Sequence, residues 1–176
     1  MVNNQLAAAA ADQLPVTATI VVEGLNSRGD IAGLTTGTIT TQSSFRGSVS
    51  DSDGNTNSAS FLSSDFLSIN ASIYVDQSDI RKTARIYTLV LFENSYFMKN
   101  SNGNFLAWDG SLDSLVASET DRPLADIETF SVISGLMGIV GDFEVTIAYS
   151  TDDGVFRYSQ SPISFVVTQQ CPEFPQ

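Results

Sequence analysis

The last third of the chain, residues 141–168, alternates apolar and polar side chains in a way that predicts extended structure. The turn residues Asp152, Asp153 and Gly154 divide the stretch, because an Asp side chain caps a bend and a glycine accepts positive φ. We therefore predict a β-hairpin followed by a closing strand after Pro162. The side chains expected on its core face are Phe143, Val145, Ile147, Tyr149, Ile163, Phe165 and Val167.

Similar patterns recur along most of the chain. The segment 66–75 predicts a strand with Ile69, Ala71, Ile73 and Val75 facing the core, and the nearly continuous apolar run 84–92 predicts a central strand covered on both faces. Many short strands separated by turn residues indicate an all-β fold, specifically an immunoglobulin-like antiparallel β-sandwich with an N-terminal extension strand. The remaining predicted strands are 15–23, 34–41, 45–50, 59–62, 105–108 and 127–133, with 45–50 and 59–62 forming a hairpin around a polar turn.

Two stretches between the strands lack a clear alternation. Residues 93–103 predict a loop or a ragged hairpin, and 111–123 predict a single helical turn or an irregular loop across the sandwich edge.

The length of 176 residues suits one domain with an extension. We predict a flexible N-terminal segment at 1–13, a single β-sandwich domain at 14–168 and a C-terminal tail at 169–176. No stretch approaches the roughly 20 apolar residues of a membrane helix. The single cysteine, Cys171, excludes an intramolecular disulfide.

The net charge of −12 comes from 20 acidic and 8 basic residues, and the basic residues are scattered. A nucleic-acid-binding surface needs clustered cations, so we expect no nucleic-acid partner. The acidic turns keep such a protein soluble, and the composition is typical of an extracellular or cell-surface protein.

Catalysis has little support in the sequence. The chain contains no histidine, which excludes a Ser-His-Asp triad and a histidine-bearing zinc site. Two carboxylate pairs, Asp109 with Asp113 and Asp152 with Asp153, have the chemistry for glycoside hydrolysis, but turn formation explains both. We expect no enzyme activity and identify no catalytic residue.

A calcium site is the one cofactor site that the sequence suggests. Asp51, Asp53, Asn55 and Asn57 place side-chain oxygens at every second position around Gly54. Calcium takes six to eight oxygen ligands, but the spacing departs from that of the helix-flanked calcium loop. A polar hairpin turn is the alternative interpretation and the one we favour.

Three aromatic residues near loops form a second candidate binding site. Tyr96, Phe97 and Trp108 could stack on sugars, whereas the alternative is that Trp108 fills one end of the sandwich, since a large side chain buries much area.

Residues 66–168 carry a resemblance to a known family. The series AWDGSLDSL at 107–115, RPL at 122–124 and the hairpin from 141 resemble an immunoglobulin-like β-sandwich domain that recurs in secreted and surface proteins of Gram-negative bacteria. Ala148 stands where that family commonly has glycine before the tyrosine. The resemblance implies an accessory or stalk module without chemistry of its own.

The segment 15–23 falls outside the resemblance and forms a candidate assembly strand through Val16, Ala18, Ile20 and Val22. Such a strand can complete a neighbour's sheet, and the alternative is that it pairs within its own domain. We expect a structural, assembly or adhesion module, with other copies or a neighbouring surface protein as partners and a filament as one outcome. The alternative is a carbohydrate- or calcium-dependent ligand-binding module.

Overall fold

We describe the protein from a computed structural model. It describes residues 43–54, 56, 60–158 and 162–169, together with the backbone of 18–19 and 40–41. The predicted segment 1–13 and Cys171 lie outside these residues. Within the described part of the chain, no helix has the length and apolar character needed to cross a membrane.

The described chain is built of strands with one short 3₁₀ turn at Leu112–Ser114. In chain order the strands are β1 (Ala18–Thr19), β2 (Thr40–Thr41), β3 (Ser44–Ser50), β4 (Ser60–Leu62), β5 (Leu67–Tyr74), β6 (Thr83–Phe92), β7 (Ser95–Lys99), β8 (Phe105–Ala107), β9 (Glu119–Pro123), β10 (Ile127–Leu136), β11 (Gly141–Thr151), β12 (Phe156–Tyr158) and β13 (Ile163–Thr168).

Two sheets face each other, which confirms the predicted all-β sandwich. The small sheet has the order β10-β5-β3, and the large sheet has the order β4-β13-β11-β6-β7-β8. β12 and β13 lie end to end along β11, while β7 and β9 lie end to end along β6. All of these pairs are antiparallel except β4 with β13, which is parallel.

The core lies between the sheets and uses the side chains that the alternation predicts. One group of these side chains comes from β5 and from Val75 directly after it. The other group comes from β11 and β13, and every side chain in both groups is nearly or completely buried. Period-two alternation therefore identified the buried face correctly in these strands. The confirmed core positions are Ile69, Ala71, Ile73, Val75, Phe143, Val145, Ile147, Tyr149, Ile163, Phe165 and Val167.

A glycine brings the two sheets close together at one edge. A Cβ atom on Gly47 of β3 would lie 1.9 Å from Cδ1 of Ile163, so a side chain at this position would collide with the facing sheet. Gly47 therefore permits the close approach of β3 to β13.

The predicted hairpin between 45–50 and 59–62 is wrong. β3 pairs with β5 in the small sheet, whereas β4 pairs with β13 in the large sheet, Phe61 lying opposite Val167. The polar turn reverses the chain, as shown by an isolated bridge between Ser50 and Thr56, but the chain then crosses from one sheet to the other. Turn residues specify a local reversal and not the partner of the strand that follows.

The two stretches without clear alternation contain strands. Glu93 and Asn94 both have positive φ, 48° and 63°, and form the tight turn between β6 and β7, so the hairpin alternative for 93–103 is the correct one. After the 3₁₀ turn at Leu112–Ser114, β9 pairs with the first half of β6, a strand that the sequence did not predict.

A buried polar network closes the end of the sandwich at which β3 begins. Asp79 is fully buried and receives hydrogen bonds from the Tyr149 hydroxyl (2.9 Å) and Lys82 Nζ (2.7 Å), and Arg157 Nε lies 2.8 Å from its carboxylate. Ser43 Oγ lies 2.6 Å from the Tyr149 hydroxyl and accepts from the backbone N–H of Asp76. The network fixes Ser43, and with it the point at which the N-terminal chain joins the sandwich; we call this end the Ser43 end.

Candidate functional site

The small sheet has an open edge along β10. This ten-residue strand pairs with β5 on one side, and within the described part of the chain no strand pairs with its other side. The backbone N–H and C=O groups of such an edge are a template for an added strand. The edge of β10 is therefore the first candidate interaction site.

Lys99 partly covers this edge. It lies on β7 of the opposite sheet, and its Nζ donates hydrogen bonds to the carbonyls of Ser131 (3.0 Å) and Val132 (2.7 Å). Burial lowers the pKa of Lys99, while the charge of Glu119 opposes that shift. An ammonium group placed on edge carbonyls occupies the acceptors that an added strand would need, a known way of protecting an edge.

A group of exposed apolar side chains lies where β10 ends. Each of its members is between 40 and 59 % exposed. The loop after β10 is held to the loop after β4 by a hydrogen bond from the N–H of Gly138 to the carbonyl of Ser63 (2.8 Å), and the Phe66 ring lies against Gly135. These contacts bring together the loops that carry the group, and a cluster of exposed apolar side chains marks an interaction site. We call it the apolar tip; it consists of Leu62, Phe66, Met137, Ile139 and Val140.

The predicted assembly strand is described only in part. Of its four apolar positions, Ala18 is described as backbone, and Val16, Ile20 and Val22 lie outside the described residues. Ala18 pairs with Thr41 and Thr19 with Thr40 in a two-residue antiparallel ladder, and β1 also contacts β12. One edge of Ala18–Thr19 is thus paired within its own chain.

The predicted calcium turn is also described in part. Asp51 Oδ1 accepts the backbone N–H of Asp53 (3.0 Å), and Gly54 has a φ of 85°, so these residues form an ordinary turn capped by an Asp side chain. Asn55 and Asn57 lie outside the described residues. Within the residues that are described, no three Asp, Glu, His or Cys side chains come together to hold a metal ion.

Asp51 and Asp65 nevertheless line the same polar groove, which has a volume of about 440 Å³. The sequence did not single out Asp65. Ser60 and Thr56 also line this groove, with Thr168 at the end of β13. Asp65 lies more than ten residues from Asp51 in sequence, so only the fold could bring the two carboxylates to one groove.

One carboxylate of each pair considered for catalysis is held in a turn. Asp109 accepts hydrogen bonds from the Ser114 hydroxyl and the N–H of Ser111, and these lower its pKa. Asp153 binds the Arg157 guanidinium (2.7 Å), which lowers the pKa of Asp153 to about 2. Both carboxylates stabilise turns, which is the interpretation favoured from the sequence.

A cleft of about 540 Å³ lies on the outer face of the large sheet. Its walls combine three carboxylates, Asp113, Asp121 and Asp152, with the guanidinium of Arg85 and the ring of Phe156. Such a mixture of acceptors, a donor and an aromatic ring suits a polar ligand such as a sugar.

Trp108 is buried rather than available for stacking. Only 6 % of it is exposed, its indole Nε1 donates to the carbonyl of Ser111 (2.8 Å), and its ring meets Tyr96 edge to face. The packing interpretation of Trp108 is therefore the correct one.

No family model, no curated protein and no solved structure matches this chain. Any functional inference must therefore come from the residues and their geometry.

Proposed function

We propose that this chain is a non-enzymatic assembly or adhesion module of a bacterial extracellular or surface protein, and that copies assemble by β-strand addition. The observation that carries the proposal is the open ten-residue edge of β10, beside the apolar tip. An exposed edge contributes main-chain hydrogen bonds to an added strand, and adjacent apolar surface contributes specificity.

Strand order supports an immunoglobulin-like character for this sandwich. In that fold, strands A, B, E and D form one sheet and C, F and G the other, with C′ added in variable-type domains. Taken in chain order, β3, β5 and β10 correspond to A, B and E, and β6, β7, β11 and β13 correspond to C, C′, F and G. The position of strand D, next to E, corresponds to the open side of β10, which is where an added strand would fit.

The N-terminal segment provides the strand to be added. Residues 15–23 alternate apolar side chains, and the stretch 13–22 carries no charge in a chain whose net charge is −12. A partner carrying this segment meets little electrostatic repulsion at β10, whose one acid, Glu128, is buried against Arg122 (2.6 Å).

Deletion of the segment tests the proposal. We expect the full chain to form assemblies that grow with concentration in light scattering, and the chain lacking residues 1–23 to be a monomer. Removal of residues 1–13 alone is the matched control and should leave assembly intact, because the alternating segment remains. A full chain that stays monomeric at every concentration, or an assembly state and melting temperature that deletion leaves unchanged, contradicts the proposal.

A second candidate function, calcium-dependent ligand binding, is favoured by the presence of Asp51 and Asp65 in one groove. A site with a Kd of about 10⁻⁴–10⁻³ M would raise stability by roughly 0.4–1.4 kcal/mol at millimolar calcium. We expect Asp51→Asn and Asp65→Asn to abolish calcium-induced thermal stabilisation, and Asp142→Asn, which removes the same charge elsewhere, to preserve it. A melting temperature that calcium does not shift, together with a glycan array that gives no binding with or without chelator, removes this candidate.

A further inference from the structure

The apolar tip and the N-terminal extension lie at opposite ends of the sandwich. β5 runs from Leu67 at the tip to Tyr74, which pairs with Ser44 at the Ser43 end. Eight residues of strand span roughly 25 Å at about 3.3 Å per residue. The 42 residues before Ser43 thus join the sandwich about that distance from the tip.

The pairing of β1 with β2 places Ala18 and Thr19 near the Ser43 end. Ala18 lies opposite Thr41, two residues before Ser43, and β1 contacts β12, which pairs with Ala148–Ser150 near the same end. The segment 15–23 extends at most four residues beyond the β1 pair, or about 13–14 Å. That reach is shorter than the distance to the tip of its own chain.

We infer that copies join head to tail, with residues 15–23 of one copy docking at the apolar tip and adjacent end of β10 of the next copy. The inference rests on the proposed function and adds the direction in which the copies join. The donor alternates apolar side chains and carries a single acid, Glu23, at its last position, and the acceptor presents exposed apolar side chains at the opposite end of the molecule. Because donor and acceptor are different surfaces, the contact does not close on itself, and its repetition produces an open linear polymer.

Two complementary variants test this inference. A chain lacking residues 1–23 keeps the acceptor alone, and a triple variant Met137→Ser, Ile139→Ser and Val140→Ser keeps the donor alone. We expect each variant to be a monomer in sedimentation velocity, and an equimolar mixture of the two to form a one-to-one dimer. The full chain should instead give a ladder of higher species in native mass spectrometry.

The matched control changes apolar side chains that are exposed elsewhere. Phe105→Ser with Leu106→Ser alters β8, in the large sheet, and should polymerise like the full chain. All variants are compared by Trp108 fluorescence and melting temperature to establish that they fold; should the triple variant unfold, Met137→Ser alone takes its place.

The outcomes distinguish a failure of this inference from a failure of the proposed function. If the full chain and the tip variant polymerise equally while the deletion variant does not, the acceptor lies elsewhere, and the inference fails while strand addition stands. A mixture of the two variants that stays monomeric also overturns the inference. If the full chain does not assemble at any concentration, the proposed function itself fails.

Discussion

At the scale of single residues, the most consequential group is the buried carboxylate of Asp79. A buried ion is tolerated when its oxygens receive hydrogen bonds and opposite charge, and Asp79 has both from Tyr149, Lys82 and Arg157. Burial raises the pKa of the Tyr149 hydroxyl above its usual range, so the hydroxyl remains a donor at neutral pH. Loss of one donor therefore removes part of the compensation of a charge that is buried inside the protein.

Tyr149→Phe should accordingly destabilise the fold by at least roughly 1.5–3 kcal/mol, since it removes the bond to the charged carboxylate of Asp79 and also the bond to Ser43. The matched control is Tyr87→Phe, which loses a bond between two neutral hydroxyls, to Ser150 (3.2 Å), and should cost about 0.5–1.5 kcal/mol. Urea unfolding followed by Trp108 fluorescence measures both free energies. Equal losses of unfolding free energy in the two variants would show that the charge of Asp79 does not strengthen its bond with Tyr149.

Sequence reasoning did not find this network because Ser43, Asp79 and Tyr149 lie far apart in the sequence. Alternation along β12 places Arg157 on the face opposite Phe156 and Tyr158, but it does not show that the Arg157 side faces inward. Arg157 is 5 % exposed, and Phe156 and Tyr158 pack against Tyr87 and Ala148 outside the main core. The sequence of β12, an arginine between two aromatic residues, does not show which face of the strand is buried. That depends on the position of Asp79 in the fold.

At the scale of secondary-structure elements, the balance between monomer and assembly depends on the edge of β10. Lys99 holds two carbonyls of β10 from a strand of the opposite sheet. Displacement of the ammonium group is then a cost that an added strand must overcome.

Lys99→Met should therefore strengthen self-association, because methionine retains the apolar chain and frees both carbonyls. Each carbonyl that then accepts an N–H contributes about 0.5–1.5 kcal/mol, so we expect roughly tenfold tighter association in sedimentation equilibrium. Arg46→Met on β3 is the matched control, since it removes one positive charge from the other edge of the same sheet. Weaker or unchanged association of Lys99→Met relative to Arg46→Met would argue against strand addition at β10.

Strand existence was more predictable than strand pairing. The alternation located β5, β6, β10 and β11, whereas the polar sequence of β9, ETDRP, has no apolar pattern to detect. β9 is held by its ladder to β6 and by the ion pairs that Arg122 makes with Glu119 and Glu128. Pairing with distant strands, as for β4 with β13, depends on contacts that no local pattern contains.

At the scale of the whole molecule, charge and apolar surface are arranged separately. A net charge of −12 favours separated monomers, so a surface that brings copies together needs few unpaired acidic groups. The one acid of β10, Glu128, is buried against Arg122, and the five side chains of the apolar tip carry no charge. The sequence indicated the donor segment, but the exposure of Met137, Ile139 and Val140 became visible only with the fold, since apolar residues are ordinarily expected inside.

The parallel pairing of β4 with β13 has a mechanical consequence. Both strands run toward the apolar tip, so tension applied to the chain before Ser60 and after Thr168 pulls them in opposite directions along their length. The backbone bonds between them, with the bond from the N–H of Ser63 to the carbonyl of Thr168 (2.8 Å), are then sheared together rather than opened one after another. Where tension enters the module at these two points, this short ladder is the place where it is resisted.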